Sequence, residues 1–181
     1  MTDKNVDTWY ENLTNASHSQ IGKFVSQWGT AMGMVYQLPE SLDFEDHKTT
    51  TFMLALLNGD EVRANTLCKV IKRKQGENFF KSDKTLKDSE SALKALKELE
   101  KIGKKRNALI HGVPTVVVTC GTFPKDQQRN GVYMVQKRET DSDKQFFDVQ
   151  TEIESLLESL DEICRQLHAL TWREPEWISN R

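Results

Sequence analysis

Eight positions near the C-terminal end constrain the fold most: Ile153, Leu156, Leu157, Leu160, Ile163, Cys164, Leu167 and Leu170 recur at steps of one, three and four. Steps of three and four return a side chain to one side of a helix at every turn, so this stretch is an amphipathic helix with a stripe to bury. It stops near Trp172, and Pro175 follows, which cannot continue a helix. A stripe of that kind needs partners, and the same period appears three more times upstream.

Ile21, Phe24, Val25, Trp28, Met32 and Val35 predict a first helix that ends before Pro39, with Met32, Met34 and Met53 as core fillers. Lys48 to Leu57 is a strongly apolar block broken at Asn58-Gly59-Asp60, after which Val62, Leu67, Cys68 and Ile71 resume the stripe. The reading is a second helix in two pieces with Asp60 as an N-cap, although Arg63 stands where a capping box carries Glu or Gln. Lys72 to Lys87 is polar apart from Phe79-Phe80, a pair suited to anchoring a loop and, less often, to stacking on bases. Asp88 or Ser89 is expected to cap a third helix running to about His111, roughly 35 Å at 1.5 Å per residue.

After Pro114, Thr115-Val116-Val117-Val118-Thr119 is β-branched, and Val132-Tyr133-Met134-Val135 answers it across a Gly- and Asn-Gly-containing connection. The predicted fold class is therefore mainly α: an up-and-down four-helix bundle with a β-hairpin inserted between helices 3 and 4. The expected organisation is a single domain over residues 1–181. It has a polar N-terminal arm at 1–16, the inserted hairpin at 113–137 and a C-terminal tail at 173–181.

Several function classes find no support. The longest apolar run, Phe52 to Leu57, is far shorter than the roughly 20 residues that span a bilayer. The polar start Met1-Thr2-Asp3-Lys4-Asn5 lacks an apolar signal core, so a cytoplasmic location and no membrane partner are expected. Cys68, Cys120 and Cys164 are widely spaced and odd in number, and no His pair stands at i, i+4; neither a disulfide framework, a metal nor another cofactor is expected. There is no glycine-rich phosphate loop and no GxSxG elbow. Net charge is −2 but unevenly placed: residues 61–112 hold 14 Lys and Arg against 7 Asp and Glu, a balance of +7, and the rest holds 11 against 20, or −9. That segregation points to an anionic partner near the middle helices, RNA among them, through Lys69, Lys72, Arg73, Lys101, Lys104 and Lys105.

One polar stretch stands where a helix should be closing over its core. Ala92, Leu96, Leu99, Gly103, Arg106 and Ile110 share a face, which sets Arg106 in an apolar seam, and Gly103 one turn earlier leaves room for a close approach. A guanidinium there lines a cleft, meets a second chain, or pairs with a carboxylate such as Glu158 or Glu162. His111, Gly112 and Pro114 then end the helix. A histidine there is also favoured by the macrodipole, by about 0.3 to 1 kcal/mol.

Arg106, Asn107 and His111 resemble the motif of the HEPN superfamily, in which an arginine is followed by a polar residue and, four to six residues on, by a histidine at the end of a bundle helix. The resemblance rests on this short motif and its place in the third predicted helix. It implies metal-independent RNA cleavage by the ribose 2′-hydroxyl, with Arg106, Asn107 and His111 as the catalytic set at a homodimer cleft. A toxin or defence effector with an antitoxin or regulatory protein as partner is the implied setting. The side chains suit that chemistry: imidazole titrates near neutrality, and guanidinium holds developing phosphate charge. Asn107 is one turn before His111, whereas Arg106 is about 140° around the helix from it, so a second protomer completes the site on this reading. Two alternatives stand beside it: a non-catalytic helical interaction or dimerisation module, and RNA binding without cleavage.

Overall fold

The computed structural model describes residues 3–111, 113–117, 131–136 and 145–172. Among them are five helices: α1 (Asp3–Ser41), α2 (His47–Leu56), α3 (Asp60–Gly76), α4 (Asp83–His111) and α5 (Val149–Thr171). Among the described residues three strands lie between α4 and α5: β1 (Val113–Val117), β2 (Gly131–Gln136) and β3 (Gln145–Asp148).

This corrects the four-helix bundle with a hairpin between helices 3 and 4. The broken second helix is two helices, because Leu57 turns extended (φ −74°, ψ 140°) and Gly59 adopts φ +93°, a conformation that costs glycine nothing and other residues about 1 kcal/mol or more. The predicted helices 3 and 4 are α4 and α5, and what lies between them is a sheet and not a two-stranded hairpin. The strands follow α4 and form a three-stranded antiparallel sheet in the order β1-β2-β3, Val113 facing Val135 and Tyr133 facing Asp148. Gln145-Phe146-Phe147-Asp148 is too short to alternate, so nothing in its pattern marks it as a strand; pairing to the second edge of β2 supplies its backbone partners.

Helix ends also differ from those expected. Residues 3–16, read as an arm, begin α1, and Pro39 falls inside α1 near its end; its missing N–H removes one bond in a last turn that Leu42 N–H to Leu38 O at 2.9 Å still closes. α4 begins at Asp83, where Ser82 Oγ accepts the Thr85 N–H at 3.1 Å. Ser89, expected as a cap, is instead buried within the helix, donating to Leu86 O at 2.7 Å and accepting Gln75 Nε2–H at 2.8 Å. Residues 173–181 and the 118–130 part of the expected hairpin lie outside the described residues.

The chain divides into two compact units, and α1, α4 and α5 each run through both. The first, residues 1–26 and 105–158, buries Phe24, Leu109, Ile153, Leu156 and Leu157, with Ser17 also enclosed. The second, residues 27–104 and 159–181, buries Trp28, Val35, Leu38, Leu42 and Phe44 of α1 and its following turn, Leu67 and Ile71 of α3, Leu96 and Leu99 of α4, and Leu160, Ile163 and Leu167 of α5. Burying each such side chain is worth roughly 1.5 to 3 kcal/mol. Trp28 Nε1–H donates to Asp60 Oδ2 at 2.7 Å, and Arg63 joins Asp60 Oδ1 at 2.6 Å while its Nε–H reaches Leu54 O at 3.3 Å. Asp60, expected to cap a helix through its carboxylate, gives that carboxylate to Trp28 and Arg63.

Candidate functional site

α4 is built largely of Lys, Glu, Leu and Ala, the residues that lose least on becoming helical. Ala92, Ala95, Leu96, Leu99 and Ile102 form its buried stripe in the second unit, and Leu109 continues it in the first. Gly103 is buried as the seam requires, and the approach it permits is that of Trp28: a Cβ there would stand 3.3 Å from Trp28 Cη2. The space is filled by a core aromatic and not by a ligand.

In the first unit Arg106 is half-buried, with Nε enclosed and Nη1 donating to Asn107 Oδ1 at 3.1 Å. Neighbours on a helix point about 100° apart, so this bond draws the guanidinium around the helix surface toward the face that also carries position 111. Asn107 spends its carbonyl on Arg106 and keeps its amide N–H groups as donors. Lys105, about half exposed, pairs with Glu152 of α5 at 3.2 Å, a surface pair worth at most about 1 kcal/mol. His111 is the last residue of α4; its side chain and Gly112 lie outside the described residues. Glu162, one partner considered for Arg106, is engaged on its own helix by Arg165 at 2.9 Å and Gln166 at 2.9 Å.

The other basic residues expected to bind RNA, Lys69, Lys72, Arg73, Lys101 and Lys104, belong to the second unit. Lys69, Lys72 and Lys104 are exposed, Lys101 pairs with Glu98 at 2.7 Å, and Arg73 pairs with Glu77 at 2.8 Å, which holds its guanidinium charged by hydrogen bond and charge together. Lys94 and Lys97 are exposed too, and with Lys101 and Lys104 they step by three, four and three along one side of α4. These two lysines are absent from the set expected from charge alone, although their helical spacing is the signal that marks them. Burial pushes the Cys68 thiol up, and the charges of Lys72 and Lys97, which lower it, do not offset burial and the Glu100 charge that raises it. Cys164, half-buried with its S–H 3.8 Å from Gln27 O, is pushed up for the same reason, with Asp161 adding to it.

Phe79 and Phe80 close on Phe44 at 5.9 and 6.2 Å, and Lys74 Nζ sits 4.6 Å from the Phe44 ring and 4.2 Å from the Phe79 ring. They anchor the turn before α4. Among the described residues no three His, Cys, Asp or Glu side chains converge as metal ligands, and no helix is long and apolar enough to cross a membrane. No protein family, curated protein or solved structure matches this chain.

Proposed function

We propose that this chain is a metal-independent endoribonuclease of the HEPN type, working as a homodimer, with Arg106 and Asn107 binding the scissile phosphate and His111 moving the proton. One observation carries the reading: the half-buried Arg106 guanidinium is tied to Asn107 at 3.1 Å on the last turns of α4, the helix that ends at His111. A fork held in place loses little entropy on meeting a phosphate, and it stabilises charge as it develops there. In the step proposed, the ribose 2′-oxygen bonds to phosphorus as its proton leaves to a base. The bond to the 5′-oxygen breaks, the leaving oxygen takes a proton, and a 2′,3′-cyclic phosphate and a 5′-hydroxyl remain. In the cell this activity suits a toxin or defence effector restrained by an antitoxin or other regulatory protein.

A second reading, RNA binding without cleavage, draws on the Lys94, Lys97, Lys101 and Lys104 ridge, whose exposed spacing suits a phosphate backbone. Incubation of the purified chain with single-stranded RNA in EDTA separates the two. Cleavage that falls by about 100- to 10,000-fold in a folded His111→Ala variant supports the first reading. Salt-sensitive binding with intact RNA supports the second, and neither cleavage nor binding removes both.

A further inference from the structure

Within the second unit, α2 and α3 line a cavity of about 370 Å³. Asp46, Thr50 and Leu54 border it at steps of four from the start of α2, and Thr66, Val70, Arg73 and Glu77 at steps of four, three and four along α3 and its C-cap, so one face of each helix builds it. The volume lies at the lower end of the ~300 to 1,000 Å³ range of small-molecule sites.

The polar groups of this cavity are unequal. Thr50 is 7% exposed, and among the described residues its hydroxyl has no hydrogen-bond partner, although its backbone N–H reaches Asp46 O at 2.9 Å. The next residue differs: Thr51 Oγ1–H donates to Tyr36 O at 3.1 Å. A buried hydroxyl without a partner costs stability, and one that lines a cavity recovers that cost from a ligand. Lys74 is the most enclosed charge at the cavity, its side chain 16% exposed, with Nζ 3.3 Å from the carboxylate of the more exposed Asp46. The same Nζ stands 4.2 Å from the Phe79 ring and 4.6 Å from the Phe44 ring. Arg73 and Glu77 form a second, exposed pair at 2.8 Å, so the charges around the cavity balance.

We propose that this cavity binds a free amino acid with an aliphatic side chain, held as its zwitterion. The ligand's carboxylate takes the Lys74 ammonium and the Thr50 hydroxyl, its ammonium takes Asp46, and its side chain lies on Leu54, Val70 and Met53. A zwitterion opens the Lys74–Asp46 pair and gives each member a new partner, whereas a ligand with one charge leaves one member unmatched. A partly exposed pair gives up little on opening, and the two rings keep Lys74 in place meanwhile. So few contacts set a modest affinity, a Kd of about 0.1 to 1 mM.

The cavity and the Arg106 turn belong to different units, so this site stands apart from the cleavage reading, and either can fail alone. The experiment is isothermal titration calorimetry of the full chain with L-leucine, glycine, L-leucinamide and N-acetyl-L-leucine. Leucine should saturate one site per chain. Leucinamide, which lacks the carboxylate, N-acetylleucine, which lacks the ammonium, and glycine, which lacks the side chain, should each bind at least about tenfold more weakly. Thr50→Val, which keeps the shape and removes the hydroxyl, should weaken leucine by about three- to tenfold, and Asp46→Asn and Lys74→Met by about tenfold or more, with helical circular dichroism unchanged. Arg106→Ala should leave binding as it is. No leucine binding up to about 20 mM, single-charge analogues that match leucine, or undiminished binding by a folded Thr50→Val overturns the proposal.

Discussion

Arg106 Nη1 donates to Asn107 Oδ1 at 3.1 Å, an interaction between adjacent residues of one helix whose side chains would otherwise diverge by about 100°. The bond turns two neighbours into one donor surface, with Asn107 holding one end of the guanidinium.

If the chain cleaves RNA as proposed and Asn107 aims the guanidinium, Asn107→Ala should lower cleavage by about 10- to 100-fold through kcat, while KM changes less than about threefold. Asn107→Asp adds a negative charge beside the guanidinium and should weaken phosphate binding, raising KM. Single-turnover and steady-state kinetics on a short RNA read both; equal effects on kcat and KM from both variants would remove the aiming role.

If the α4 ridge binds RNA, replacing Lys97 and Lys101 by Ala should weaken binding and flatten the plot of log K against log salt. The slope should fall by about 0.7 for each phosphate of a single strand that is no longer neutralised, and fluorescence anisotropy at several salt concentrations measures it.

Asp60 collects Trp28 Nε1–H at 2.7 Å and Arg63 at 2.6 Å, with both side chains of the ion pair about one-fifth exposed. Asp60→Ala should cost about 2 to 4 kcal/mol in urea unfolding, since it strands an indole N–H and a guanidinium. Asp60→Asn keeps an acceptor for Trp28 and should cost about half as much.

Gly103 and Gly33 make opposite predictions. A side chain at 103 meets Trp28, so Gly103→Val should cost about 1 to 3 kcal/mol by overpacking. Gly33 is exposed within α1 with open space around it, so Gly33→Ala should add about 0.5 to 1 kcal/mol from helix propensity. Thermal unfolding followed by circular dichroism distinguishes the two signs.

Burial holds the Cys68 thiol above its ordinary value, so it stays neutral and unreactive at neutral pH despite Lys72 and Lys97 nearby. Iodoacetamide should modify it at least tenfold more slowly in the native chain than in urea. Because the folded value is the higher one, the stability it contributes is complete below the unfolded thiol's titration and is lost as pH rises through the folded value. Unfolding free energies of wild type and Cys68→Ala should accordingly converge in alkali.

The stripe from Ile153 to Leu167 was legible because periodicity depends only on neighbours along the chain, and its leucines and isoleucines are buried as expected. The Lys48 to Leu57 block was not, for a related reason: apolar content says that a stretch is helical or buried, but not which way each side chain faces. Leu54 is turned inward and Leu56 outward because the rest of the fold, which bonds to α2 through Tyr36 of α1 and Arg63 of α3, covers one side of α2 and not the other. β3 left no trace in the sequence because four residues carry too little pattern, and its partner β2 supplies the reason for its being a strand.

Helix geometry and cap chemistry act between near neighbours, so residue order alone was enough to set Arg106 in a seam, to put Asn107 and His111 on one face, and to end α4 at that point. Packing settled the rest: what occupies the space beside Gly103, that Lys105 pairs with Glu152, and that Asp60 serves Trp28 and Arg63 instead of a helix end. Those outcomes depend on which distant side chains the fold brings within about 3 to 4 Å, and no local pattern encodes such distances.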